Sequence, residues 1–102
     1  MDFDRVKART NDPDFQGYVN ELLDGERLDG AAILGIAKKI GADGVEGLTS
    51  KQLETFIRYG LYPYNYVEEC ERCSFDVPWC EMYFALDDSY CSYCRHLIEK
   101  DI

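Results

Sequence analysis

The stretch CERCSFDVPWCEMYFALDDSYCSYC, residues 70–94, decides how this chain is read. Cys70 and Cys73 form one Cys-x-x-Cys pair, and Cys91 and Cys94 form a second after an interval of seventeen residues. Two thiolates three positions apart grip one side of a metal ion. A second pair, returning from a hairpin or a helix, completes a tetrahedron. Four Cys in this pattern fit one structural Zn²⁺ with no coordination position left for a substrate. The expected ligands are Cys70, Cys73, Cys91 and Cys94, with a single zinc ion as cofactor. A four-thiolate site also accepts iron, so the identity of the metal is a matter for measurement.

Working outward, Phe75 and Val77 alternate with Asp76, and Met82, Phe84 and Leu86 alternate with Tyr83 and Ala85. This alternation predicts a β-hairpin with Pro78 and Trp79 near its turn. A final helix is expected over roughly 90–100, with Cys91 and Cys94 on one face of its first turn, where the helix dipole favours thiolate. The predicted fold class is a small α+β protein: a part made of short helices, then a treble-clef-like four-cysteine zinc finger with a β-hairpin and a terminal helix.

The predicted organisation has four segments: a flexible N-terminus over 1–12, three helices over 13–60, a junction over 61–69 and the zinc finger over 70–102. Asp12-Pro13 reads as a helix start, and Phe15, Tyr18, Val19, Leu22 and Leu23 follow at helical spacing. Asp29 is the next expected N-cap. An apolar stripe of Ala32, Ile33, Ile36, Ala37 and Ile40 runs to Gly41, read as the stop, with Lys38 and Lys39 in the last turn. Thr49 and Gln52 match a capping box for a short third helix. Pro63 and the Tyr-rich run 61–67 read as extended chain.

The chain of 102 residues has 20 acidic and 11 basic side chains, a net charge of −9. Four thiolates on one Zn²⁺ add about two more negative charges. Nucleic-acid binders carry a basic stripe that releases counterions from phosphate, and none is visible here. The beginning, MDFDRVKART, lacks the apolar core of a secretory signal, and no stretch approaches the roughly eighteen apolar residues of a membrane span. A reducing, cytoplasmic setting is the expectation, and there paired Cys bind metal rather than form disulfides.

The fifth Cys, Cys80, reads as a small packed hydrophobe, the other readings being an exchangeable ligand or a redox switch. His96, the one His, lies two residues past Cys94 and so points away from the ligand face. With a closed metal site, one His and no phosphate-cradling Gly loop, no catalytic set is expected and the chain reads as a non-enzyme. The Glu68, Glu69 and Glu71 group reads as a solvated acidic face.

The Cys70-x-x-Cys73 and Cys91-x-x-Cys94 pairs, with Val77, Met82 and Ala85 between them, resemble the C-terminal zinc finger of the DksA/TraR family, which regulates bacterial RNA polymerase. The chain departs from that family at Ser74, where Gly is usual, and at Glu81, where a basic residue is usual. The family acts through a long coiled coil with an acidic tip, which the short, Gly-broken helices here do not build. The resemblance implies a zinc ion, the finger fold and RNA polymerase as a candidate partner. The GIAKKI, LTSKQ, EECERC, PWCEMY and YCSYC segments also look like those of small zinc proteins of phages and prophages, a likeness that carries no activity.

The reading that best joins these features is a zinc-binding adaptor or regulator acting through protein–protein contact, on an aromatic, acid-rimmed surface near Tyr62 to Glu71 and Tyr83. The alternative is a nucleic-acid-binding transcriptional regulator that reads with the third helix, through Lys51, Gln52, Thr55 and Arg58, or with the finger.

Overall fold

A computed structural model describes residues 3–100 and shows six α-helices: α1 (Phe3–Arg9), α2 (Asp14–Asp24), α3 (Ala31–Asp43), α4 (Ser50–Phe56), α5 (Trp79–Asp88) and α6 (Ser92–Lys100). A π-helical turn, Ile57–Leu61, extends α4. Met1, Asp2, Asp101 and Ile102, the ends of the predicted N-terminal and finger segments, lie outside the described residues.

The first helices follow from caps and apolar spacing. Asp12 accepts a hydrogen bond from the Asp14 N–H and so closes the start of α2. Phe15, Tyr18, Val19 and Leu22 then fall on its buried face. The Thr49/Gln52 capping box is complete, each side chain bonding the other's backbone N–H. Three local expectations change. Asp29 does not cap α3: Gly30 takes the N-cap position with no side-chain cap, and the Asp29 carboxylate accepts from the Gly30 N–H. Residues 3–9, expected as flexible, are helical, because Val6 is fully buried and Arg5 and Arg9 reach across to the metal-bearing part. Gly41 does not stop α3, which runs on to Asp43 and is closed by Gly44 at φ 77°. Gly41 instead permits close approach: its carbonyl accepts from Gln16 and Asn20 of α2, and a Cβ there would collide with the Asn20 side chain.

The predicted α+β class is wrong: among the described residues there is no strand and no sheet, only one isolated antiparallel bridge, Glu69 to Asp76. The hairpin expected over 75–86 is replaced by α5. Alternation and helical spacing compete in this stretch, and burial at Trp79, Met82 and Ala85 follows the helical period. Pro78, extended at ψ 153°, precedes the first helical residue, where its missing N–H costs nothing. Ser89, in the left-handed region, ends the helix.

The expected junction is not simply extended. A turn closes at Asn65, whose N–H bonds the Leu61 carbonyl. Asn65 is buried and every polar atom of its side chain is used: the amide donates to the carbonyls of Arg27 and Gly60 and accepts from the Arg27 guanidinium. Its own carbonyl accepts from the Tyr18 hydroxyl. This knot joins the α2–α3 loop to the π-helical turn.

A single buried cluster runs from α1 through α2, α3 and the π-helical turn to α5, and it includes Cys70 and Cys94. Trp79 is its hub. The indole stacks on Tyr18 (5.4 Å between centroids), tilts against Phe15 (4.8 Å) and Tyr66 (5.7 Å), and donates its N–H to the Arg9 carbonyl at 2.8 Å. Arg9 folds its guanidinium over the same ring at 4.9 Å and donates to the Tyr66 hydroxyl and the Val77 carbonyl. Trp79→Ala is expected to destabilise the protein by about 3–5 kcal/mol, read from urea unfolding. Phe84→Ala, on the exposed side of the same helix, is expected to change it by no more than about 0.5 kcal/mol. Equal losses for the two variants would contradict this account of the core.

Candidate metal centre

Each Cys pair is positioned by its own local structure. The first sits on a tight knuckle set up by the Glu69–Asp76 bridge. The Cys70 N–H bonds the Phe75 carbonyl and the Ser74 N–H returns to the Cys70 carbonyl, both at 2.9 Å. Ser74 is forced to φ 63°, the left-handed region. Sequence reasoning marked this position only as a departure from a family that uses Gly; the geometry explains why Gly suits it. The second pair brackets the start of α6. Glu81 of α5 caps that start by accepting from the Ser92 N–H. The two halves are tied directly by a bond from the Glu71 N–H to the Ser89 carbonyl.

The result brings together the four residues the spacing selected. The sulfurs of Cys70, Cys73, Cys91 and Cys94 all lie within 4.8 Å of one another, and Cys73 Sγ is 3.7 Å from Cys91 Sγ. A tetrahedral zinc with bonds of about 2.3 Å holds its sulfurs about 3.8 Å apart, so the group fits this ion. Among the described residues no other set of three or more His, Cys, Asp or Glu side chains is gathered in this way. Cys70 and Cys94 are buried, while Cys73 and Cys91 are half-buried and form the outer rim.

The electrostatics divide the cluster, lowering one thiol and raising two. Burial works to raise the Cys70 thiol, but backbone N–H groups of Cys73, Cys91 and Arg72 aim at its sulfur and bring it down to about 6. Burial pushes the Cys94 thiol up to about 12, opposed by the Arg72 side chain, which bonds its sulfur. A divalent metal removes the conflict by supplying the positive charge that four buried or half-buried thiolates need.

The other singled-out residues do not join the centre. Cys80 is exposed on α5 and is neither a packed core residue nor a member of the sulfur cluster. His96 is exposed on α6. Glu68 pairs with Arg5 at 3.2 Å, and Glu69 and Glu71 are exposed on the knuckle. Of the four side chains considered for reading DNA, three have local contacts, Gln52 in the capping box, Thr55 on the Lys51 carbonyl and Arg58 over the Phe3 ring at 5.1 Å, and Lys51 is exposed. No described helix is long and apolar enough to cross a membrane. Sequence reasoning missed Arg72, whose place two residues after a ligand was the available signal, and Arg5, which binds both Glu68 and Asp76 at the foot of the knuckle.

The chain matches no protein-family model, no curated protein and no solved structure.

Metal analysis of the purified protein is expected to give one zinc per chain, and Cys91→Ser is expected to lose it and to loosen the knuckle and α6. A fully folded, metal-free wild-type chain in native mass spectrometry would overturn the assignment. Cys80→Ala is expected to leave the zinc content unchanged, whereas a fall would make Cys80 a ligand. Ser74→Gly is expected to raise stability by about 0.5–1 kcal/mol by relieving the left-handed backbone, measured by denaturant unfolding of the zinc-loaded protein.

Proposed function

We propose that this protein is a non-enzymatic zinc-binding adaptor that acts by binding another protein. The observation that carries this reading is the closed four-cysteine cluster, whose sulfurs leave no place for a substrate on a tetrahedral ion. Such a site stabilises a surface rather than performing chemistry. The resemblance of the Cys-pair segment to the DksA/TraR finger makes bacterial RNA polymerase one candidate partner, and the likeness to phage proteins suits a small regulator of a host machine.

Exposed aromatic side chains support a protein partner, and they coincide only in part with the surface the sequence suggested: Tyr64 lies within it and is exposed. Tyr62, Tyr66 and Tyr83 pack against the core. Tyr59, Tyr64, Phe75, Phe84 and Tyr93 are the large apolar side chains that face solvent. Aromatic residues of this kind anchor protein interfaces. The net charge of −9 opposes phosphate.

Two measurements test the reading. Duplex DNA titrated with zinc-loaded protein at physiological salt is expected to show no binding below about 10 μM, the range of weak non-specific contacts. A tagged protein used as bait is expected to retain partners that survive nuclease treatment and are lost with Cys91→Ser. Loss of every partner to nuclease, or salt-sensitive sub-micromolar binding of a particular duplex, would replace the adaptor with a nucleic-acid-binding regulator.

A further inference from the structure

Charge is not evenly spread along the chain. Residues 68–99 contain eight acidic side chains and only two basic ones, Arg72 and Arg95. A zinc–tetrathiolate centre carries about two further negative charges into the same region. This acidic third also contains three of the five large apolar side chains that face solvent among the described residues, Phe75, Phe84 and Tyr93.

Phe84 is the one whose surroundings are built. It is 61 % exposed, although the helix that bears it is anchored in the core by Trp79, Met82 and Ala85. On α5, Glu81 stands one turn before it and Asp87 and Asp88 one turn after, spacings that place carboxylates beside its ring. Two of these three are fixed. Glu81 caps α6, and Asp88 grips Arg95 through paired bonds of 2.6 and 2.9 Å. Arg95 in turn lies 5.9 Å from the Phe84 ring and supports it from the α6 side. Asp87 remains exposed. An apolar ring is thus held out to solvent on a rigid helix, with a free carboxylate beside it.

We propose that Phe84, with Asp87 beside it, is the docking anchor for a basic segment of the partner protein that carries apolar side chains among its Lys or Arg residues. This rests on the adaptor reading. Charge complementarity selects the occupant: a cationic segment is drawn to the acidic region, and its apolar side chains or Lys and Arg stems cover the ring. Nucleic acid is repelled by the same charge, and so is a second copy of this strongly acidic chain.

The test uses zinc-loaded protein and three fluorescent peptides of about 15 residues in anisotropy titrations: one of Lys and Leu in amphipathic order, one of Lys and Ser, and one of Glu and Leu. The Lys/Leu peptide is expected to bind most tightly. Phe84→Ala is expected to weaken it about tenfold or more, as removal of an anchor does. Asp87→Lys is expected to weaken it with a loss that shrinks as salt rises. Tyr64→Ala, at an 82 % exposed site outside the acidic third, is expected to leave it unchanged. Equal affinity for the Lys/Leu and Lys/Ser peptides, indifferent to Phe84→Ala, would overturn the proposal by reducing the contact to charge alone. Weakening by Tyr64→Ala but not Phe84→Ala would overturn this surface and leave the adaptor reading standing. Self-association in sedimentation, abolished by Phe84→Ala, would overturn it in favour of a second copy as occupant. Unchanged zinc content and unfolding midpoint in Phe84→Ala establish that a loss of binding is not a loss of fold.

Discussion

The contact of Trp79 with Arg9 is the constraint on which the arrangement depends. The indole N–H needs an acceptor once the ring is buried, and the Arg9 carbonyl at the end of α1 supplies it. The Arg9 side chain then closes over the ring and reaches the Val77 carbonyl, so that α1, α2 and the start of α5 share one joint. The segment that carries the Cys pairs is short, and a knuckle of that size cannot sustain a core alone. Placing Trp79 at the first position of α5 gives the metal-bearing segment the core of its neighbours. In return, a metal held by the four Cys would fix where α5 and α6 can lie.

This exchange explains which parts were legible in the sequence. The gathering of the four Cys was, because a Cys-x-x-Cys pair is a local device and two such pairs are read together as one cluster. The helices of the first part were too, since Asp12, Thr49 and Gln52 act on backbone groups within three residues of themselves. The end of α3 was not. Gly41 has the composition of a stop, but Gln16 and Asn20 hold its carbonyl from another helix. Tertiary contact decided there between two roles that one glycine fits equally.

The hairpin is the larger misreading, and its cause is specific. Over VPWCEMYFALDD, positions two apart and three apart are both apolar, because Tyr83, Phe84 and Leu86 add aromatic and aliphatic character to faces that are not deeply buried. Period alone cannot separate a strand from a helix in so short a run. Pro78 followed by Trp79, with Asp87 and Asp88 before Ser89, fits a helix as well as a turn. What settles the choice is the packing of Trp79, Met82 and Ala85 against α2, a long-range fact absent from the segment itself.

The apolar excess that misled the pattern is also where the structure becomes informative about function. A side chain that supports neither the core nor the metal, yet is held by partners that are themselves held, represents surface the fold does not need. Tyr83 is drawn in beside Gly25, where the backbone leaves room for its hydroxyl, and under the Arg27 guanidinium at 5.9 Å. Phe84, its neighbour, is exposed, with Arg95 at 5.9 Å and Tyr83 in a T-shaped arrangement beside it. Folding alone gives no reason to prefer Phe over a polar residue at that position. Because α5 is fixed at one end by Trp79 and at the other by the bond from Glu71 to Ser89, the ring is presented with little freedom. A partner that covers it then has little ordering entropy to overcome. The four-cysteine cluster, through the knuckle that Glu71 belongs to, holds that presentation in place.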